Sequence, residues 1–205
     1  MWQSIYEELK DQNFEIISAA QDTGGVEAAG AVFENAGVTY TAIIDEDHTI
    51  SSLFNFVNVP SAAWINEEGR VVRIDEGTYT KSANVLDRTI GHDGYIPALK
   101  DWIVKGDDSE YVLTPKEVAG GIRPRDADEE LAEPTFKLAN YHHRQGNTDA
   151  ANQYWDEAQR LSPDSWNFHR QDWSFLKFSE TTKNFMSKVR ALKKPYYTPM
   201  TRLPE

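Results

Sequence analysis

The sequence contains no cysteine among its 205 residues. Disulfides, thiolate zinc sites and cysteine nucleophiles are therefore excluded within it. Its three methionines are thioethers and cannot form a thiolate. Long apolar runs are missing too, since no stretch approaches the roughly 20 residues that a membrane-spanning helix needs. Basic charge is scarce, with 21 Lys and Arg against 33 Asp and Glu and a net charge of −12. That balance argues against a nucleic-acid partner, because neutralised phosphate supplies most of such affinity. The opening residues carry Glu7 and Glu8 but no base before Lys10. No apolar segment follows, so they do not read as a signal peptide. The lack of disulfides is compatible with a cytosolic home.

Core-forming residues are plentiful: hydrophobic residues are 40% of the chain, including six Trp, nine Tyr and nine Phe. A folded, soluble protein of one large or two small domains is expected. Trp2, Ile5, Tyr6 and Leu9 recur at helical spacing, so the chain begins in an amphipathic helix. Phe14–Ala20 reads as a strand, Asp22–Gly25 as a turn, and the next helix should turn Val26, Ala29, Val32, Phe33 and Ala36 inward before Gly37 closes it. Tyr40–Ile44 is a second strand, followed by the acidic turn Asp45–Asp47 and a short helix with Ile50, Leu53, Phe54 and Val57. After Asn58-Val59-Pro60-Ser61 comes the strand Ala62–Ile65. Asn66-Glu67-Glu68-Gly69 is a hairpin turn and Val71–Ile74 the return strand. A less regular stretch leads to a helix over Ile96–Lys105, with Leu99, Trp102 and Ile103 inward. Gly120–Arg125 reads as a linker. Helices are expected over Pro134–Gln145 and Thr148–Leu161, then after Pro163, and finally around Phe185, Val189 and Leu192.

Four features of the first ~105 residues resemble thioredoxin-like proteins of the ResA/TlpA and peroxiredoxin type. They are the helix and strand ending at Asp22, the inserted helix and strand ending at Asp45, the Asn58-Val59-Pro60-Ser61 loop where that family has a cis-proline, and the Trp64–Val72 hairpin. The resemblance implies an α/β fold: an incomplete thioredoxin-like mixed sheet with flanking helices, followed by an all-helical tail. The expected boundaries are 1–108 for the thioredoxin-like domain, 109–132 for a linker, 133–194 for the helical region and 195–205 for an irregular C-terminus, frayed or laid on the surface. In the family, a central strand leads into a Cys-x-x-Cys pair at the head of the first helix. Here that strand and the redox motif would lie upstream of Met1. The whole chain also resembles ResA-like proteins with a Trp-Ala-x-x-Sec-Gly-Ser-x-Pro motif, in which the nucleophile is selenocysteine. Its UGA codon, misread as stop, would place an apparent start at Met1.

The tail resembles one tetratricopeptide repeat, through Leu138-Ala139, His142, Gly146, Ala151, Trp155, Ala158 and Pro163. Ala151 and Ala158 are expected to be buried where the two helices cross. The implied activity of an intact product is thiol- or selenol–disulfide exchange or peroxide reduction, with a protein thiol, disulfide or reductant as partner. The alternative is a non-catalytic interaction module that binds a protein partner through its tail. Catalytic, metal and cofactor residues are expected to be absent from this chain. The substrate-binding residues implied are Val59, Pro60 and Ser61, with cis-Pro60 leaving the Val59 backbone free for an extended peptide. Related proteins are often exported, and any export signal would also lie upstream of Met1. The histidines offer no metal set: His142 and His143 are adjacent, not at i, i+4, His143 is a surface residue, and His48 and His92 sit in polar turns where solvation is expected. Asp45 and Asp47 read as a turn and a helix cap.

Overall fold

The computed structural model describes residues 2–85, 88–122 and 124–205; Arg123 of the expected linker lies outside them. Helix α1 (Trp2–Leu9) forms along the anticipated apolar face, burying Leu9 and packing Trp2 and Ile5 against Trp64, Tyr95 and Leu99. Strand β1 (Ile17–Ala20), helix α2 (Gly25–Asn35) and strand β2 (Thr41–Ile44) make a parallel β-α-β unit, with Ala19 opposite Ile43. Helix α3 (Thr49–Phe54) follows. Strands β3 (Ser61–Ile65) and β4 (Val71–Glu76) then form an antiparallel hairpin. Its turn is held by the Asn66 side chain, which accepts from the backbone N–H of Glu68 and Arg70, and Gly69 supplies a φ of 76° that other L-residues resist. The irregular stretch holds a second, short hairpin of β5 (Ala83–Val85) and β6 (Arg88–Ile90). Helix α4 (Tyr95–Lys105) packs Leu99, Trp102 and Ile103 against Trp64 as its spacing implies.

The all-helical tail starts earlier than expected. Within the 109–132 stretch lies helix α5 (Pro115–Gly121), and α6 (Ala127–Arg144) starts well before Pro134, which sits inside it. Both starts are fixed by capping boxes, Thr114 with Glu117 and Asp126 with Glu129. Helices α7 (Thr148–Leu161), α8 (Trp166–Ser174) and α9 (Phe178–Ala191) follow. Ala132, Ala139, Ala151 and Ala158 are fully buried where α6 meets α7, because side chains this small let the helix backbones approach closely. Phe136 stacks on Phe168 at 4.4 Å, and Trp155 donates to Asn140 at 2.9 Å. His142 and His143 are both half-buried, His142 stacked on Tyr154 and His143 on Phe175. His143 is thus not the surface residue that the sequence suggests.

The architecture is mixed α/β with a helical C-terminal region, and each sheet has only two strands: β1–β2, β3–β4 and β5–β6. The inward face expected of α2 is largely uncovered. Ala29 is buried, but Val26 and Val32 are exposed, as is Leu53 of α3, with 79% of its surface accessible. The C-terminal residues 195–205 form no helix or strand, as expected of them, yet they are firmly attached. Met200 and Leu203 pack on the Trp64–Tyr95 cluster. Arg73, wholly buried on β4, pairs with Asp75 at 2.6 Å and donates to the carbonyls of Tyr111, Thr201 and Arg202. Burial raises the Asp75 carboxyl even against the Arg73 charge.

Candidate functional site

Strands β1 and β3 belong to different sheets, but hydrogen bonds tie them together at both ends. At one end, Asn13, just before β1, donates to Glu67, just after β3, at 2.8 Å. At the other end, α8 spans both ribbons. Gln171 accepts from the Thr23 N–H beyond β1 at 2.9 Å, while one turn earlier Asn167 donates to the Phe56 carbonyl at 2.7 Å and its backbone N–H to Val57 at 3.2 Å. Residues four apart share a helix face, so one face of α8 clamps both chain segments. The start of β1 therefore faces the end of β3 and the strands run antiparallel, yet no ladder joins them.

The hairpin register shows which backbone groups of β3 point away from β4. Gly77 N–H donates to the Pro60 carbonyl at 2.7 Å, just outside the Ser61–Glu76 pair. Ser61 and Glu76 are thus a non-hydrogen-bonded pair, and Ala62–Asp75 is a hydrogen-bonded one. By alternation, Ser61 and Ala63 turn their N–H and C=O groups away from β4. On the β1 side, Ser18 Oγ and Gln21 Oε1 are buried with no hydrogen-bond partner among the described residues. Buried polar atoms are nearly always bonded in folded proteins, so these two stand out.

The Val59–Pro60 peptide is cis, as the sequence reading expects. The Val59 backbone is nevertheless not free. Its N–H donates to the Asn58 side chain at 2.9 Å, and its carbonyl accepts from Tyr197 Oη at 2.8 Å. The neighbouring Asn58 amide donates to the Tyr196 carbonyl. The C-terminal segment thus covers the start of β3, while Ser61 Oγ turns back to the Asn58 carbonyl at 2.8 Å.

His48 is also not solvated: only 3% of its surface is accessible. Its Nε2 meets Gln171 Oε1 at 2.8 Å and its ring stands edge-on to Phe136, while Nδ1 has no partner. Because Gln171 Oε1 can only accept, Nε2 carries the proton. Burial lowers the His48 pKa. Asp45 braces the start of α3, accepting from Thr49 and Ile50 N–H at 2.9 and 2.7 Å, and Asp47 pairs with Arg144 on α6. Sequence reasoning singled out the His169–Trp173 stretch, which contains Gln171, as a docking surface or a plain amphipathic helix, and missed Asn167 and Tyr197, whose signal is an amide or hydroxyl in an otherwise aromatic stretch. Among the described residues no helix is long and apolar enough to cross a membrane, and no group of three or more His, Asp or Glu stands close enough to hold a metal. No family model, curated protein or solved structure matches the chain.

Proposed function

We propose that this polypeptide is a thioredoxin-like scaffold that works as a non-catalytic interaction module, binding an extended peptide along the outer edge of β3. The observation that carries this reading is the outward-turned backbone of Ser61 and Ala63 in a strand that belongs to a different sheet from β1. Unpaired strand edges accept an added strand through main-chain hydrogen bonds. Val59, Pro60 and Ser61, the substrate-binding residues that the resemblance implies, begin that same edge.

A second reading is thiol- or selenol–disulfide exchange or peroxide reduction by a longer product. It rests on the resemblance, in which the strand before the redox pair would lie between the segments matched by β1 and β3. That chemistry needs a nucleophile that these 205 residues do not contain. The chain as it stands is expected to show no insulin-disulfide reduction above a buffer blank, and turnover would contradict both readings. The peptide reading is tested on an array of immobilised extended peptides. Binders should slow hydrogen exchange at the Ala63 amide, and Ala63→Pro, which removes an outward N–H, should abolish binding while leaving the fold intact. Binders that leave Ala63 exchange unchanged would refute it.

A further inference from the structure

The charge of this chain is unevenly placed. Against a net −12, a cleft on the side of the C-terminal segment gathers cationic groups. The cleft holds about 610 Å³ between β6 with its following turn and residues 192–200. A recess of about 100 Å³ opens beside it, sharing Arg88, Ile90, Tyr196 and Tyr197 and adding Arg170 and Phe185.

Neither arginine has a carboxylate partner among the described residues. The Arg88 guanidinium makes one long bond, to the Val189 carbonyl at 3.4 Å. Arg170 lies over the rings of Phe185 and Tyr196, at 5.7 and 6.0 Å from their centroids, and donates to Tyr196 Oη. Its Nε is fully sheltered and bonded to nothing. At the far side, His92 Nδ1 accepts from Gly94 N–H at 3.0 Å, so Nε2 bears the proton and is a donor. The one carboxylate among the described lining residues, Glu76, is engaged by the Thr198 N–H at 2.9 Å.

Guanidinium groups without a carboxylate partner offer N–H donors and fixed positive charge to a planar oxyanion. Aromatic walls beside them take a flat apolar body. We propose that this cleft binds a small organic anion, a carboxylate or phosphate joined to an aromatic or similarly flat body, with the oxyanion on Arg88 and Arg170 and the body against Phe185, Tyr196 and Tyr197. The site shares Tyr197 with the segment that covers the start of β3, but it uses none of the outward-turned Ser61 and Ala63 backbone and does not depend on peptide binding.

The test is calorimetric and NMR titration of the full chain with benzoate, phenyl phosphate, inorganic phosphate and benzyl alcohol. Saturable binding of benzoate or phenyl phosphate is expected, with the stronger of the two identifying the oxyanion. Benzyl alcohol, which lacks the charge, and inorganic phosphate, which lacks the ring, should each bind at least roughly tenfold more weakly. Arg88→Gln removes a side chain with one long bond, so the fold should survive while affinity falls by a similar factor; Arg170→Gln should act likewise. Equal binding of benzyl alcohol, unchanged affinity in Arg88→Gln, or no saturation by either aromatic anion would overturn the proposal.

Discussion

The α6–α7 hairpin and the β1-α2-β2 unit are built from similar residues but packed very differently. The hairpin buries four alanines completely, along with Phe136, Trp155 and Leu161. The β-α-β unit buries Ala29 and little else that is apolar, and it leaves Ile17, Val26, Val32 and Ile43 open to solvent. The hairpin satisfies itself through mutual burial. The β-α-β unit is held at its ends instead, by Gln171 at the turn after β1 and by Asn13 before it. A region secured by a few polar bonds at its margins opens more readily than one with a continuous core. In this protein that looser region is tied through α8 to the chain that leads into β3.

The largest effect should come from the hairpin. Phe136→Ala, which empties a site stacked on Phe168 and touched by His48, is expected to cost about 3–5 kcal/mol in chemical denaturation. A loss under 1 kcal/mol would mean that the hairpin is not the stabilising half. Next comes the joint between the regions. Gln171→Leu leaves the Thr23 N–H and the His48 Nε2–H buried without an acceptor, and each orphan costs about 1–3 kcal/mol. Hydrogen exchange should rise in β1 and α2 more than in α6 and α7, and a uniform rise would break the distinction. Overpacking the crossing with Ala151→Leu should cost about 1–3 kcal/mol in the same assay. An unchanged melting temperature there would count against close contact of the two helices.

Acid should act at two places, on His48 at this joint and on His169 beside Pro163 and Lys188. Burial, then the nearby Lys188 ammonium, pushes His169 down to about 4 from its ordinary 6.5. Burial lowers His48 as well. Both rings fold best uncharged, so the unfolded chain binds more protons between these values. Their contribution is full above pH 6.5 and is lost as pH falls toward about 4. The melting temperature is expected to drop across that window, and less steeply in His169→Gln. A wild-type profile flat over the window would contradict the buried neutral rings. The smallest effect belongs to the open face: Ile17→Thr, at a site 68% exposed, should change stability by no more than about 0.5 kcal/mol.

Where local spacing decides the outcome, the sequence was readable. Trp2, Ile5 and Leu9 announce α1, the alanines announce the α6–α7 crossing, and Asn66–Gly69 announces the β3–β4 turn. What escaped was decided by distant chain. His48 reads as solvated in its polar turn, and α8, 123 residues later, buries it. The burial of Arg73 within the Val71–Ile74 return strand likewise depends on Thr201, 128 residues on, which accepts its hydrogen bond. The Val59 carbonyl looked free until Tyr197 reached it. The exposed valines of α2 fail for the converse reason: a helical apolar face promises burial only when something is there to cover it.

The account turns on whether β3 keeps an unpaired edge, and residue-resolved amide hydrogen exchange of the monomer at low concentration tests this most directly. Ala62 and Trp64, bonded into the ladder with β4, should be protected, while Ala63 between them should exchange at a rate close to that of a solvent-exposed amide. Equal protection of all three amides in a chain confirmed as monomeric would show that the edge is closed, and the site described here would not exist.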